Sequence, residues 1–335
     1  MTFLAGQFAL AMSRLGPFGP APRLACAVSG GADSTALVLL AQAWAARHEG
    51  SVLALIVDHG LRAESAAEAA QTAARLHGRG IAAQILTLSG IRAPALQEKA
   101  RRARFAALTQ AALDAGCLHL LLGHHAADQS ETLAMRARRG AGGGEGIAAW
   151  SARNGVVLLR PLLEFSPADL RVYLAAHGMG WVEDPSNQNP KFERVRLRQA
   201  MLPPRAADAA PRRVREAEAA AFLAGYASLR REGFALLDAP SAPPAALGAL
   251  IRVLGGADYP PAQRALARLA ANLRPETLGG VRIVPAGRLG AGWLLAREPA
   301  ACAAPVPAHP GVLWDNRFRL EILYKSATSF GALGE

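Results

Sequence analysis

The feature that most limits the fold is an alternation. Five short runs, Leu24–Ser29, Val52–Val57, Ala82–Leu88, Leu118–Leu122 and Val156–Leu159, are mostly apolar. Between them, Ser34–His48, Ala63–His77, Pro94–Ala115, Asp128–Arg139 and Ala168–His177 are longer and carry helical spacing. A strand with no polar face must be buried on both sides, which happens when helices cover both faces of a parallel sheet. The expected fold is α/β: a five-stranded parallel doubly wound sheet. A smaller C-terminal domain follows, helical first and then built of short strands. Open sheets of this kind bind ligands beyond the carboxyl ends of their strands. Ser29–Ser34, Asp58–Arg62 and Gly123–Asp128 each follow such a run, so they are expected to converge on one site.

The length of 335 residues suits two domains of roughly 150 residues each. Pro203, Pro204 and Pro211 punctuate the stretch from Leu202 to Ala210, and the boundary is drawn there. Residues 1–205 form the expected catalytic domain and 206–335 the second. In the latter, Arg212–Phe234, Ala245–Leu254 and Ala262–Leu273 read as helical. Val281–Val284, Trp293–Leu295 and Phe318–Leu323 read as short strands. A hydrophobic share of 51% excludes wholesale disorder. The three cysteines, Cys26, Cys117 and Cys302, are far apart, odd in number and without a C-x-x-C pair, which argues against a disulfide framework. No apolar stretch is long enough to span a bilayer, and no basic lead-in marks an export signal. A cytoplasmic protein is expected.

The first chemical constellation is Ser29-Gly30-Gly31-Ala32-Asp33-Ser34, between a strand and a helix. Two glycines allow a tight turn and bring amides close to an anion. The helix that follows adds unpaired N–H groups and the positive end of its dipole. Ser29 and Ser34 add hydroxyls. The loop has no lysine and no G-K-[ST], so it is not a Walker loop. Asp33 would repel bound phosphates unless a divalent cation stood between them, which points to a Mg²⁺-bridged nucleotide. A plain turn with Asp33 capping the helix would use the same residues.

Two further polar strings end apolar runs. Asp58-His59-Gly60-Leu61-Arg62 follows the second, and His124-His125-Ala126-Ala127-Asp128-Gln129-Ser130-Glu131-Thr132 follows the fourth. Adjacent histidines before acids raise the question of zinc. Consecutive residues leaving a strand diverge, however, and no H-E-x-x-H pair is present. A phosphate or carboxylate contact by His124 and His125, with Asp128 or Glu131 at Mg²⁺, suits the string better. On the intervening helix, Glu98, Arg101, Phe105 and Leu108 share one face, which would serve a substrate or simply solvent.

The S-G-G-x-D-S string resembles the nucleotide loop of the PP-loop ATP pyrophosphatases, with Gly30, Gly31, Asp33 and Ser34 matching in position. Other strings are similar to those of one family within that group, the tRNA(Ile)-lysidine synthetases. These are Val57–Arg62, Glu98-x-x-Ala-Arg101-x-x-Arg104-Phe105, His124–Thr132, Arg139-Gly140, Arg160–Leu163, Trp181–Asn187 and Phe192–Arg198, in that order. Two positions depart from the family pattern: Ala127 stands where an acid is usual, and Val195 where an asparagine is usual.

The resemblance implies ATP cleavage between the α and β phosphates. It implies adenylation of the wobble cytidine of a CAU-anticodon isoleucine tRNA, and its joining to free L-lysine. Asp33, Asp128, His124 and His125 become the catalytic candidates, with Asp33 and Asp128 at Mg²⁺. Ser29, Gly30, Gly31, Asp33, Ser34 and Asp58 become the ATP-binding candidates. Glu98, Arg101, Arg104, Glu131, Arg139, Arg194, Arg196 and Arg198 become the substrate and tRNA candidates. A homodimer is left open. A tRNA thiolase would share the loop, but such enzymes commonly use cysteine pairs absent here. A non-catalytic RNA-binding module would leave Asp33 and the His-His string without a purpose.

The formal charge of +11 supports an anionic partner. Only Lys99, Lys191 and Lys325 are lysines, so arginine supplies nearly all of it. Seven arginines lie from Glu193 to Arg215 against two acids, and Arg136, Arg138 and Arg139 border the glycine-rich stretch Gly140–Gly146. Arginine forks match phosphate geometry. Biased composition would also favour arginine, but the clustering beside the proposed site suits RNA-backbone contacts.

Overall fold

In the computed structural model, the described residues are 3–58, 60, 64–88, 96–138, 146–153, 155–183, 210–257, 259–320 and 329–330. The chain divides into two compact units, Met1–Ala209 and Ala210–Glu335.

The first unit is built on a six-stranded sheet. In chain order its strands are β1 Arg23–Val28, β2 Ser51–Asp58, β3 Ala82–Thr87, β4 His119–Leu121, β5 Trp150–Arg153 and β6 Val156–Leu159. Their spatial order is β3-β2-β1-β4-β6-β5. The five expected strands are all parallel, in register through pairs such as Cys26↔Ala54 and Cys26↔Leu121. A sixth, β5, joins antiparallel to β6 at one edge. Its sequence, Trp-Ser-Ala-Arg, has no apolar run because an edge strand need not be buried. At the opposite edge β3 is largely exposed, while β2 between two neighbours is mostly buried.

Helices α1 Phe3–Leu15, α2 Ala32–Ala46, α3 Ser65–His77 and α6 Pro167–Ala176 share one core, in which Phe8, Met12, Leu37, Leu40, Leu76, Leu170 and Leu174 are buried. Helix α4 Leu96–Asp114 contributes Leu108, Ala111 and Ala112 to a second core with Leu55 and Leu120. Burying each leucine contributes about 1.5–3 kcal/mol. The remaining helix, α5 Ala126–Arg138, begins directly after β4. The sheet order reverses direction between β1 and β4, so their carboxyl ends open a crevice between them.

The second unit has a five-stranded antiparallel sheet ordered β7-β8-β11-β10-β9. These strands are β7 Ala227–Leu229, β8 Phe234–Leu237, β9 Glu276–Leu278, β10 Val281–Pro285 and β11 Trp293–Arg297. Helices α7 Ala210–Tyr226, α8 Pro244–Leu254 and α9 Gln263–Ala271 accompany it. Leu237, Ile251, Leu269, Ile283 and Leu295 are fully buried in its core. The helix expected through Phe234 ends instead at Tyr226. The chain then turns at Gly233, with φ +88°, and Phe234–Leu237 alternates as a strand does. Strands β12 Val306–Pro307 and β15 Ser329–Phe330 pair with each other, as do β13 Leu313–Trp314 and β14 Phe318–Arg319. The strand expected over Phe318–Leu323 is seen as β14, and residues 321–323 lie outside the described residues.

Candidate active site

The β1–α2 connection is tied from several directions. Gly30 adopts φ +85°, and a Cβ there would meet Thr72 Oγ1 at 2.7 Å. Its carbonyl accepts from the Val182 amide at 2.8 Å. Ser34 Oγ accepts from the Ser29 amide at 3.1 Å and donates to the Gly31 carbonyl at 3.0 Å, while Thr35 Oγ1 donates to that carbonyl at 2.9 Å. The loop's conformation is therefore set before any ligand arrives. Gly31 occupies the N-cap of α2 and makes no side-chain cap, and Asp33 lies in the first turn. Asp33 is thus not the cap itself; its carboxylate is directed at His125.

The β4–α5 connection approaches this loop closely. A Cβ on Gly123 would stand 3.2 Å from Ser34 Cα, so the two backbones pack with no space for a side chain. His125, 5% exposed, lies between two carboxylates: its Nε2 is 3.3 Å from Asp33 Oδ2 and its Nδ1 is 3.7 Å from Asp128 Oδ2. The backbone N–H of His125 also donates to Asp128 Oδ2 at 3.0 Å. Asp128 thereby fills the N3 position of a capping box, completing the first turn of α5. The buried imidazole thus stands between the two carboxylates.

These residues line a cavity of about 530 Å³, a size suited to a nucleotide or similar small molecule. Its walls include Ser29, Gly31, Asp33, Ser34, His124, His125 and Asp128, together with Arg104, Phe105 and Leu108 of α4. Phe105 and Leu108, the apolar members of the α4 face, line the cavity, and Leu108 also belongs to the second core. Among the described residues, no group of three His, Cys, Asp or Glu could hold a metal ion unaided. Mg²⁺ bound with a nucleotide needs no such cage, because waters and phosphate oxygens complete its shell around one or two carboxylates. Asp33 and Asp128 on the same wall fit that requirement.

Residues 7–205 match the PP-loop domain family. Curated relatives named tRNA(Ile)-lysidine synthase extend the match. The one from Hyphomonas neptunium is 40% identical over 77% of this chain and 77% of its own length. Those from Ruegeria pomeroyi and Caulobacter vibrioides are 39% and 34% identical, over 90% and 96% of this chain and 77% and 78% of theirs. The chain belongs to the tRNA(Ile)-lysidine synthase family.

Against the family pattern, Ala127 contributes a small apolar patch to the cavity wall where an acid is usual. Three expected site residues are absent from the lining: Gly30, whose turn is described above, Asp58 and Glu131. Asp58, 7% exposed, accepts at Oδ1 from the Gly60 amide at 2.9 Å and from Ser65 Oγ at 2.6 Å, which braces the turn after β2. Glu131, 4% exposed, is buried on α5. Glu98 and Arg101 fall on α4, with side chains outside the described set. Arg139, Val195, Arg194, Arg196 and Arg198 lie outside the described residues.

The cavity also contains residues that received no role from the sequence. Pro167 and Arg171 stand one turn apart on α6, and Trp181, Val182 and Glu183 follow that helix. Trp181 Nε1 donates to Glu183 Oε1 at 2.7 Å. Arg171 is exposed, and among the described residues its side chain makes no hydrogen bond or ion pair. For Trp181, Val182 and Glu183 the signal was the Trp181–Asn187 string; Pro167 and Arg171 carried none, and only the fold brings them to the cavity. No described helix is long and apolar enough to cross a membrane.

Proposed function

We propose that this chain is an ATP-dependent carbon–nitrogen ligase acting on tRNA. It joins free L-lysine to the wobble cytidine of CAU-anticodon isoleucine tRNA and releases AMP and pyrophosphate. The observation that carries this reading is the meeting of the Ser29–Ser34 loop and the His124–Asp128 string on one cavity, with His125 between Asp33 and Asp128. Family membership supports the choice of reaction.

In the first step the cytidine O2 attacks the α-phosphorus of ATP and pyrophosphate leaves. Ser29, Gly30, Gly31 and Ser34 cradle the phosphates through amides and hydroxyls. Asp33 and Asp128 would hold Mg²⁺, which offsets charge developing on the phosphate oxygens. His124 donates to phosphate oxygens, and His125 orients the Asp33 and Asp128 carboxylates on either side of its ring. In the second step the lysine amine, as the neutral base, attacks C2 of the cytidine and the bond to AMP breaks. The remaining proton goes to a base at the site. Arg104 and Arg101 contact cytidine or phosphate. Glu98, Glu131, Arg139, Arg194, Arg196 and Arg198 belong to substrate recognition. Asp58 supports the ATP site through the turn that it braces. Residues 206–335 serve as the tRNA-binding domain, and the protein works in the cytoplasm.

The test is incubation of the full chain with ATP, Mg²⁺, labelled lysine and the tRNA transcript. Label in the tRNA, matched by AMP release, is expected. ATP turnover to AMP and pyrophosphate without transfer of lysine would assign the chain to a different PP-loop reaction. No turnover at all, with tRNA still bound, would reduce it to a binding module.

A further inference from the structure

Tryptophan is a residue that folding seldom leaves to water. All five in this chain are described: Trp44 and Trp314 are buried, Trp181 and Trp293 are half-buried, and Trp150 is exposed, at 48%. The fold does not demand an aromatic ring there. Trp150 opens the edge strand β5, whose other residues are Ser, Ala and Arg, and the strand pairs with β6 through its backbone. The topology places Trp150 at the carboxyl end of the parallel strands. Strand β5 runs antiparallel to β6, so its first residue pairs with Leu159, the last residue of β6. Leu159 pairs in turn with Leu121, and its carbonyl accepts from the Leu122 amide at 2.8 Å. Leu122, Gly123 and His124 line the cavity, whose wall does not include Trp150. The backbone of Trp150 therefore stands two strand spacings, about 10 Å, from the segment that leads into the histidines.

The residues around this indole are held from both sides. Gln129 Oε1, on α5, accepts from the Ile147 amide. Arg160 Nη1 donates to the Ala148 carbonyl at 2.9 Å and to Ser151 Oγ at 3.4 Å, and the Arg160 amide donates to the Ala149 carbonyl at 2.8 Å. An exposed ring on a fixed backbone loses little freedom when something lies against it. Arg160 also brings a positive charge to the residues on either side of Trp150, which suits an anionic partner.

We infer that Trp150 is a stacking platform for RNA: an unpaired base next to the target cytidine lies against its indole while the cytidine occupies the cavity. This rests on the reading of tRNA as substrate. A base that undergoes chemistry must leave its stack, which parts it from its neighbours. Unstacked bases of RNA loops are taken up on aromatic rings. Such stacking tolerates any base, so the contact supplies affinity and places the loop, while the cavity selects the cytidine.

The experiment compares the full wild-type chain with Trp150→Ala, Trp150→Leu and Trp150→Phe. The probes are the intact tRNA and two synthetic tRNAs, each abasic on one side of the target cytidine. In Trp150→Ala, tRNA Kd rises about fivefold to a hundredfold, the worth of one stacked base. The salt dependence of binding keeps its slope, because no phosphate contact is lost. Trp150→Phe restores most of the affinity, and Trp150→Leu, apolar but not aromatic, does not. ATP KM stays within about twofold in all three variants. One abasic tRNA binds wild type as weakly as the intact tRNA binds Trp150→Ala, and loses nothing more on Trp150→Ala. Unchanged tRNA Kd in Trp150→Ala would overturn the inference, as would equal recovery by Leu and Phe, or losses that add for both abasic tRNAs. A dimer that dissociates in Trp150→Ala with tRNA affinity intact would make the indole a contact between copies of the chain instead. If Trp150→Ala unfolds, Trp150→Leu against Trp150→Phe carries the same comparison. A wild-type chain that binds tRNA but transfers no lysine sinks the proposed reaction and leaves the Trp150 comparison standing. One that binds no tRNA overturns both.

Discussion

Asp128 Oδ2 accepts the backbone N–H of His125 at 3.0 Å and lies 3.7 Å from the Nδ1 of the same residue's ring. One carboxylate thus closes the first turn of α5 and faces the reaction site. The two roles separate by substitution. Asn at 128 keeps an oxygen for the His125 amide but carries no charge, so stability is expected to hold within about 1 kcal/mol. Activity should fall about a hundredfold or more, as when one electrostatic partner is removed from a preorganised site. Asp128→Ala should lose the same activity and about a further 1 kcal/mol of stability. Full turnover by Asp128→Asn, followed as AMP release, would leave Asp128 with the cap alone.

Gly30 and Gly31 are adjacent in sequence but face different constraints. At Gly30 the backbone has φ +85° and a Cβ would meet Thr72 Oγ1 at 2.7 Å. Gly30→Ala should cost about 1–2 kcal/mol from backbone handedness, and more from the clash. At Gly31 a Cβ would meet nothing nearer than Ser29 Oγ at 3.5 Å. The protein itself tolerates a methyl there, whereas a phosphate brought against the amides does not. Gly31→Ala should therefore unfold at the wild-type temperature and show a raised ATP KM. Thermal melts and steady-state kinetics on both variants distinguish the two cases, and a destabilised Gly31→Ala with normal ATP KM would reverse the assignment.

Why the first unit was legible and parts of the second were not follows from burial. Leu24–Ser29 and Val52–Val57 are central parallel strands, and burial on both faces demanded apolar runs that mark them plainly. Trp150–Arg153 escaped because an edge strand pairs through its backbone and asks little of its side chains. Tyr226 to Phe234 was hidden by good helix formers whose preference lost to a turn at Gly233. At the site, the strand-end rule located Ser29–Ser34 and His124–Asp128, which carry chemistry in their residue types. Arg171 lies on an ordinary amphipathic helix, and only the fold brings it to the cavity.

Arg171 offers a further prediction. Its side chain is exposed at the cavity and, among the described residues, makes no hydrogen bond or ion pair. A guanidinium so placed suits an RNA phosphate. Plotted as log affinity against log salt, tRNA binding by wild type should fall steeply, and Arg171→Ala should shallow the slope by about 0.7–0.9, the share of one phosphate contact. An unchanged slope with a raised ATP KM would place Arg171 on the nucleotide instead.

In the second unit, Asp315 joins segments distant in sequence. Its side chain, 4% exposed, accepts from Arg297 Nε at 3.0 Å, Arg297 Nη2 at 2.9 Å, Arg317 Nε at 2.8 Å and the Ala303 amide at 3.1 Å. Arg297 reaches on to the carbonyls of Gly255 and Ala301. Burial alone would raise the Asp315 pKa, but the hydrogen bonds from Arg297 and Ala303 and the charges of Arg297 and Arg317 hold it below the usual carboxylate range. A depressed folded-state pKa contributes stability that is complete above the unfolded value near 3.9 and fades as pH falls through the lower folded value. Asp315→Ala strands two guanidinium groups whose side chains are 16% and 9% exposed, and should cost about 3–5 kcal/mol at pH 7. Asp315→Asn keeps the shape without the charge, so its loss is already present at pH 7 and its stability should decline less than wild type's below pH 4. Urea midpoints of the full chain at pH 7, 5 and 3 measure both effects. Parallel acid limbs for wild type and Asp315→Asn would show that the acid sensitivity arises elsewhere.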